Sequence, residues 1–146
     1  MVKIYVHAAL FVADGLRPFD ESITEDIAAF IRTVMRYKGL RCITTCIMPD
    51  HVHLFLEIPQ DADVYSGLST LQDWLQDYVE RNSSQASFAW QDRMWVVSKS
   101  PSDIQSIEKY FRRQSAYHEV YGIDREWEDM MDLEEILEDC RIVEPS

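Results

Sequence analysis

The sequence predicts an α+β protein, an antiparallel sheet with helices on one face. Three observations predict it. Apolar residues alternate with period two in separate runs, they recur every three to four residues in the stretches between, and two of the alternating runs are separated only by Pro49-Asp50.

The first predicted strand is Lys3 to Val12, with Ile4, Val6, Ala8 and Leu10 on one side and Tyr5, His7 and Phe11 on the other. Asp14-Gly15 and Pro18 form a loop. Ser22 and Glu25, three apart, make a capping-box pattern ahead of Ile23, Ile27, Phe30, Ile31, Val34 and Met35, which predicts an amphipathic helix ending near Gly39. Leu40 to Met48 is rich in β-formers and His51 to Ile58 is strand-like again, so the short break at Pro49-Asp50 makes an antiparallel hairpin. Ser66 to Arg81 places Leu68, Leu71, Trp74, Leu75 and Tyr78 at helical spacing, and Arg93 to Ser98 reads as a fourth strand. Strand, helix, strand, strand, helix, strand, with right-handed crossovers, is the order of a ferredoxin-like sheet. A further helix opens at Pro101-Ser102-Asp103 and runs through Ile104, Ile107, Tyr110 and Phe111 to about Tyr121. The chain then divides at Asp124 into a domain over residues 1–123 and an acidic tail over 124–146, in which Leu133, Ile136 and Leu137 keep helical spacing.

A chain of 146 residues with 47% hydrophobic content suits one domain with a real core. The start lacks a cleavable apolar segment and no apolar run approaches the roughly 20 residues of a membrane span, so a soluble, cytoplasmic protein without a membrane partner is expected. Cys42, Cys46 and Cys140 are an odd number, and residues four apart on a strand such as Cys42 and Cys46 would be roughly 13 Å apart, too far for a disulfide; reduced thiols are expected. The net charge of −12 argues against a nucleic-acid surface, but 124–146 holds ten acids against two arginines and accounts for −8 of it. The body is left with −4, which permits a local basic patch without a long-range attractive field.

His51 and His53, two apart on a strand, project from the same face, while Val52 points into a core. Imidazole is a common transition-metal ligand, and such a pair leaves room for a third ligand and an open side. By itself the pair is weak evidence, since two histidines on a strand face are more often structural or merely exposed. A zinc set of Cys46, His51 and His53 would require the strand to bend. Tyr110 and Gln114, four apart, share a helix face, so a phenol that can attack phosphorus and a neutral amide ligand can serve one site. Tyr110 is also in register with Ile104 and Ile107, as a partly buried aromatic would be.

Together these residues resemble the single-tyrosine HUH transposases, a family that includes insertion-sequence enzymes and REP-associated tyrosine transposases. Met48-Pro49-Asp50-His51-Val52-His53-Leu54 is similar to the family's HUH strand. Trp95-Val96-Val97-Ser98 and Ile107-Glu108-Lys109-Tyr110-Phe111-Arg112-Arg113-Gln114 resemble its closing strand and catalytic helix, and His118 falls where the family often has a histidine. Two departures bear on which DNA is bound: the helix after the HUH strand is acidic, with Asp73 and Asp77, and the usual twin histidines are Tyr117-His118.

The resemblance implies a homodimeric enzyme that cuts and rejoins single-stranded or hairpin DNA. A divalent ion, Mg²⁺ or Mn²⁺, would be held by His51, His53 and Gln114, Tyr110 would be the nucleophile, and Lys109, Arg112 and Arg113 would contact DNA. On this reading alanine at His51 or His53 removes metal-dependent cleavage and leaves the fold nearly intact. Two other readings stay open, a catalytically silent hairpin-binding protein on the same fold and an oligomerisation module that uses the acidic tail as an arm.

Overall fold

The computed structural model describes residues 3–82 and 87–113. Two compact units divide the chain, Met1–Phe111 and Arg112–Ser146. Of the second unit only Arg112 and Arg113 are described; Gln114, His118, the helix expected to reach Tyr121, the boundary at Asp124 and the tail positions Leu133, Ile136 and Leu137 lie outside the described residues.

The first unit contains strand β1 (Ile4–Val12), helix α1 (Thr24–Tyr37), the hairpin β2 (Arg41–Met48) and β3 (His51–Ile58), helix α2 (Val64–Asn82), strand β4 (Trp90–Lys99) and helix α3 (Ile104–Arg112). The four strands form one sheet in the order β2-β3-β1-β4, every pair antiparallel, which is the ferredoxin-like arrangement. The central strands β1 and β3 are covered on both faces. Val6, Ala8, Leu10 and Val12 of β1 join Val52, Leu54, Leu56 and Ile58 of β3 in the main core, with Ile27, Ile31, Val34 and Met35 of α1 and Leu68, Leu71, Leu75 and Val79 of α2. The opposite face carries a second cluster, in which Tyr5 and Phe55 receive Ile107 and Phe111 of α3. Helices therefore cover both faces, α1 and α2 on one and α3 on the other.

Several boundaries differ from expectation for local reasons. Ser22 does not cap α1, because it lies inside a 3-10 turn over Glu21–Ile23; Asp20 caps that turn instead, its Oδ1 accepting from the Ser22 N–H at 3.2 Å. Helix α2 starts at Val64 rather than Ser66, because Asp63 Oδ1 accepts from the Ser66 N–H at 3.0 Å as an N-cap does. α1 ends as expected at Gly39, whose φ of 76° suits a residue without a Cβ, and the Leu40 N–H closes the helix on Met35 O at 2.8 Å in a Schellman turn. β4 begins three residues before Arg93. The register shifts between Leu10 and Val12, so Gln91, Asp92 and Arg93 stand against Phe11 alone, and polar residues in an irregular ladder carry no alternation. Gln91 Nε2 donates to Val12 O at 3.2 Å across this irregularity.

The Pro49-Asp50 turn is held from two sides, Val12 N–H donating to Asp50 O at 2.9 Å and Phe19 N–H to Pro49 O at 3.1 Å. A further register shift between Cys42 and Thr44 of β2 changes the relation of the two cysteines. In an unbroken strand residues four apart share a face; here Cys42 packs on the main core and Cys46 on the second cluster. Burial pushes the Cys42 thiol up to about 12, partly opposed by the Arg32 charge.

Cys42 is accordingly expected to resist iodoacetamide in the folded protein at pH 8 and to react once urea unfolds it, as read by peptide mass spectrometry. Because the folded thiol stays protonated to about 12 against an ordinary value of 9.0, its contribution to stability is intact below pH 9.0 and is lost between 9.0 and about 12. Equal labelling of Cys42 in folded and unfolded chains would contradict its partly buried placement against the main core.

Candidate functional site

The second face of the sheet is built from the odd-numbered residues of β1 and β3, because side chains alternate along a strand. Register sets Phe11 beside His51, Ala9 beside His53 and His7 beside Phe55. The small Ala9 separates His7 from Phe11, and the imidazoles of His7 and His53 meet diagonally across the two strands. His7 Nε2 lies 3.0 Å from His53 Nδ1. His51 Nδ1 lies 2.9 Å from Asp50 Oδ1, an oxygen that can only accept from the ring N–H while the carboxylate is ionised. The His51 and His53 rings stand 5.0 Å apart, nearly perpendicular at 81°. Both are fully buried and His7 is 5% exposed.

Helix α3 brings the tyrosine to these histidines. Ser100 and Asp103 open it, Asp103 Oδ2 accepting from the Ser100 N–H at 2.9 Å. Ile104, Ile107 and Phe111, spaced three and four apart, form the stripe that lies on Tyr5 and Phe55. The Cys46 thiol donates to Phe111 O at 3.2 Å and ties the end of the helix to β2. Tyr110, the residue before Phe111, meets His53 edge-on at 5.5 Å and 89°, and His7 at 6.1 Å. The ring of Phe111 packs 5.3 Å from His53 and 5.5 Å from His7.

The structure thus brings His51, His53 and Tyr110 to one place. Lys109, Arg112 and Arg113 are exposed, while Gln114 is outside the described residues. Among the described residues no group of three or more His, Cys, Asp and Glu side chains is arranged to hold a metal ion. Cys46 stands directly across from His53 in the ladder, yet it does not complete a zinc set with the histidine pair. The histidines can fit a divalent ion: Nδ1 of each ring lies within hydrogen-bond distance of a protein partner, and a proton on Nδ1 would leave the Nε2 lone pair for a ligand, as outer-shell partners of metal-bound imidazoles do. The full burial of both histidines also corrects the expectation that alanine there leaves the fold nearly intact, since large-to-small changes at fully buried positions cost about 2 kcal/mol or more.

Three neighbours of the site escaped the sequence reading as functional residues. His7 and Asp50 hold the two histidines by their Nδ1 atoms. Arg93 lies over the Phe11 ring at 5.8 Å, and Phe11 in turn stacks on His51 at 5.4 Å and 18°. The signal for His7 was its odd phase on β1, shared with Tyr5 and Phe11; for Asp50 it was adjacency to His51. Arg93 had no signal, because the irregular register that places it is not written in a pattern.

The chain is thus a ferredoxin-like domain with a histidine pair and a helix-borne tyrosine on the second face of its sheet. Residues 1–114 match the family model described as "Transposase IS200 like". The chain belongs to that transposase family, a family of DNA-processing enzymes. No curated protein matches it. Among solved structures it is similar to a presumed transposase from Deinococcus radiodurans R1, with 17% identity and a TM-score of 0.62 over 78% of this chain and 92% of that one. It is also similar to a REP-associated tyrosine transposase bound to a REP hairpin, with 15% identity and a TM-score of 0.59 over 79% of this chain and 68% of that one. At those identities the two structures speak for the fold. No helix among the described residues is long and apolar enough to cross a membrane.

Phe111→Ala is expected to loosen α3 without unfolding the sheet, because the side chain belongs to the smaller cluster and not to the main core. Amide hydrogen exchange over residues 104–112 should quicken strongly while β1 and β3 stay protected. Uniform acceleration across both strands would show instead that the two clusters unfold as one.

Proposed function

We propose that this transposase nicks and rejoins single-stranded DNA through a covalent link to Tyr110. The observation that carries the reading is the edge contact of Tyr110 with His53, which brings a helix-borne phenol to a pair of histidines on one strand face. A divalent ion, Mg²⁺ or Mn²⁺, held by His51, His53 and Gln114 together with a scissile phosphate oxygen, would polarise phosphorus and offset the charge that develops during displacement. The Tyr110 oxygen attacks phosphorus in line; the bond from phosphorus to the 3′ oxygen breaks, and that oxygen takes up a proton. The products are a 5′-phosphotyrosine and a 3′-hydroxyl. Since the phosphodiester is exchanged rather than hydrolysed, a second 3′-hydroxyl can reverse the step and join a new strand.

Lys109, Arg112 and Arg113 would contact the DNA backbone, and Arg93 adds a cation on the histidine face. The acidic character of α2 does not count against this. Asp73 and Asp77 are exposed on a helix that packs on the main core, across the sheet from the histidines, so DNA on the histidine face does not meet them. A hairpin substrate accords with the hairpin-bound state of one structural neighbour. The enzyme would work as a homodimer in which one subunit's tyrosine helix can serve either site.

Incubation with labelled single-stranded hairpin DNA and Mn²⁺ should give a protein–DNA adduct that survives denaturant. Tyr110→Phe should bind the same DNA and form no adduct, and an adduct mapping to Tyr117 or Tyr121 would show that a different tyrosine attacks. His51→Ala and His53→Ala, assayed well below their lowered melting temperatures, should reduce cleavage by more than the ~10–100-fold that loss of an outer-shell partner costs. Undiminished cleavage by the double variant would remove the metal assignment. A wild-type protein that binds hairpin DNA but never forms an adduct would point to the silent binding protein instead.

A further inference from the structure

We propose that His7 is a positioning residue that holds His53 in the Nδ1–H tautomer and thereby keeps the His53 Nε2 lone pair directed at the site. The inference rests on the metal-dependent reading above but concerns a residue that reading does not use.

The geometry leaves two ways to place the shared proton. At 3.0 Å the His7 Nε2 and His53 Nδ1 atoms are hydrogen-bonded, and such a bond between neutral imidazoles needs one N–H and one lone pair. Either His53 donates from Nδ1, leaving its lone pair on Nε2, or His7 donates from Nε2, leaving the proton of neutral His53 on Nε2 and excluding that atom as a ligand. The first arrangement is the one a metal ligand needs. Register supports the pairing strongly: Ala9 is the Cα partner of His53, and its small side chain leaves the diagonal approach of His7 open. The contact is shielded, with His53 fully buried, His7 5% exposed, and the Phe111 ring close to both imidazoles. Burial makes a lost partner on Nδ1 costly, so His53 is held to this bond and cannot exchange it for water.

The arrangement parallels that of His51, whose Nδ1 meets Asp50. The two partners differ in chemistry. An ionised carboxylate can only accept, so Asp50 fixes the direction of its bond, whereas His7 can accept or donate at Nε2. A metal on His53 Nε2 therefore selects one proton arrangement of the buried pair, and His7 must carry its own proton on Nδ1 for the metal to bind. Among amino acids that could replace His7, glutamine keeps an acceptor, its Oε1, within reach of the His53 N–H, while leucine fills similar space and offers none.

The test compares the full-length wild type with His7→Gln and His7→Leu, using Mn²⁺ as the probe. Electron paramagnetic resonance of unbound Mn²⁺ gives the dissociation constants, and long-range ¹H–¹⁵N correlation spectra of histidine-labelled, metal-free protein give the tautomers. His7→Leu should weaken Mn²⁺ binding ~10–100-fold and shift His53 toward the Nε2–H form, and His7→Gln should restore both readouts toward wild type. Melting temperatures would be recorded alongside, since a purely structural role would lower them without moving the tautomer. Equal Mn²⁺ affinity in all three proteins overturns the proposal, and so does an Nε2–H pattern at His53 in the wild type. Should the wild type bind no Mn²⁺, the metal assignment falls by itself and the tautomer comparison decides the role of His7. Should His7→Leu fail to fold, the wild-type tautomer and its retention in His7→Gln decide it.

Discussion

Everything on the histidine face depends on the alternation of side chains along β1 and β3. Each strand is central, so neither face is left to water, and each residue is committed to one of two environments according to whether its number is even or odd. Even positions supply the aliphatic core beneath α1 and α2. Odd positions supply rings: Tyr5, His7 and Phe11 on one strand, His51, His53 and Phe55 on the other. The same hydrogen-bonded ladder that stabilises the sheet also sets which rings touch, and the Tyr5–Phe55 stack, 5.7 Å between centroids, provides the bed on which α3 lies.

The way α3 is attached explains how a short helix keeps its place on the sheet. Nine residues are too few to be helical alone in water, so the conformation is sustained by packing. Ile107 and Phe111 supply apolar contact, and the Cys46 thiol takes the Phe111 carbonyl, one of the carbonyls near the helix end that otherwise need a partner. Tyr110 is thereby fixed by its neighbour in the chain and by the imidazoles it meets, without itself being a main-core residue.

Much of this was legible in the sequence because it is written locally. Period-two and period-three-to-four apolar patterns disclosed the four strands and three α-helices of the described residues. The His-x-His spacing placed both imidazoles on one face, and resemblance linked that strand to the tyrosine helix nearly sixty residues later. What escaped depends on register, which no local pattern encodes. His7 is separated from His53 by 46 positions, and its role exists only because Ala9 pairs with His53. The shift beside Thr44 sends Cys42 and Cys46 to opposite faces, although four-residue spacing implies a shared one. Asp20 caps where Ser22 was expected because a single turn of 3-10 helix precedes α1, and the polar start of β4 hid a strand whose ladder is irregular there. The sequence showed that α2 is acidic but not where its acids lie; Asp73 and Asp77 are exposed on a helix that packs on the main core, on the face of the sheet opposite the histidines.

The two-residue turn at Pro49-Asp50 is bonded to the end of β1 and to Phe19, and His51 follows it at once. Its consequence is a severe limit on insertions and deletions. Most surface turns absorb an extra residue cheaply, since loop closure depends only weakly on length. Here one added or lost residue that slipped β3 against β1 would send His51 and His53 into the aliphatic layer and Val52 and Leu54 into the ring face, while moving Asp50 away from the imidazole it holds. Among descendants of this chain that keep the histidine face, length changes should therefore accumulate elsewhere.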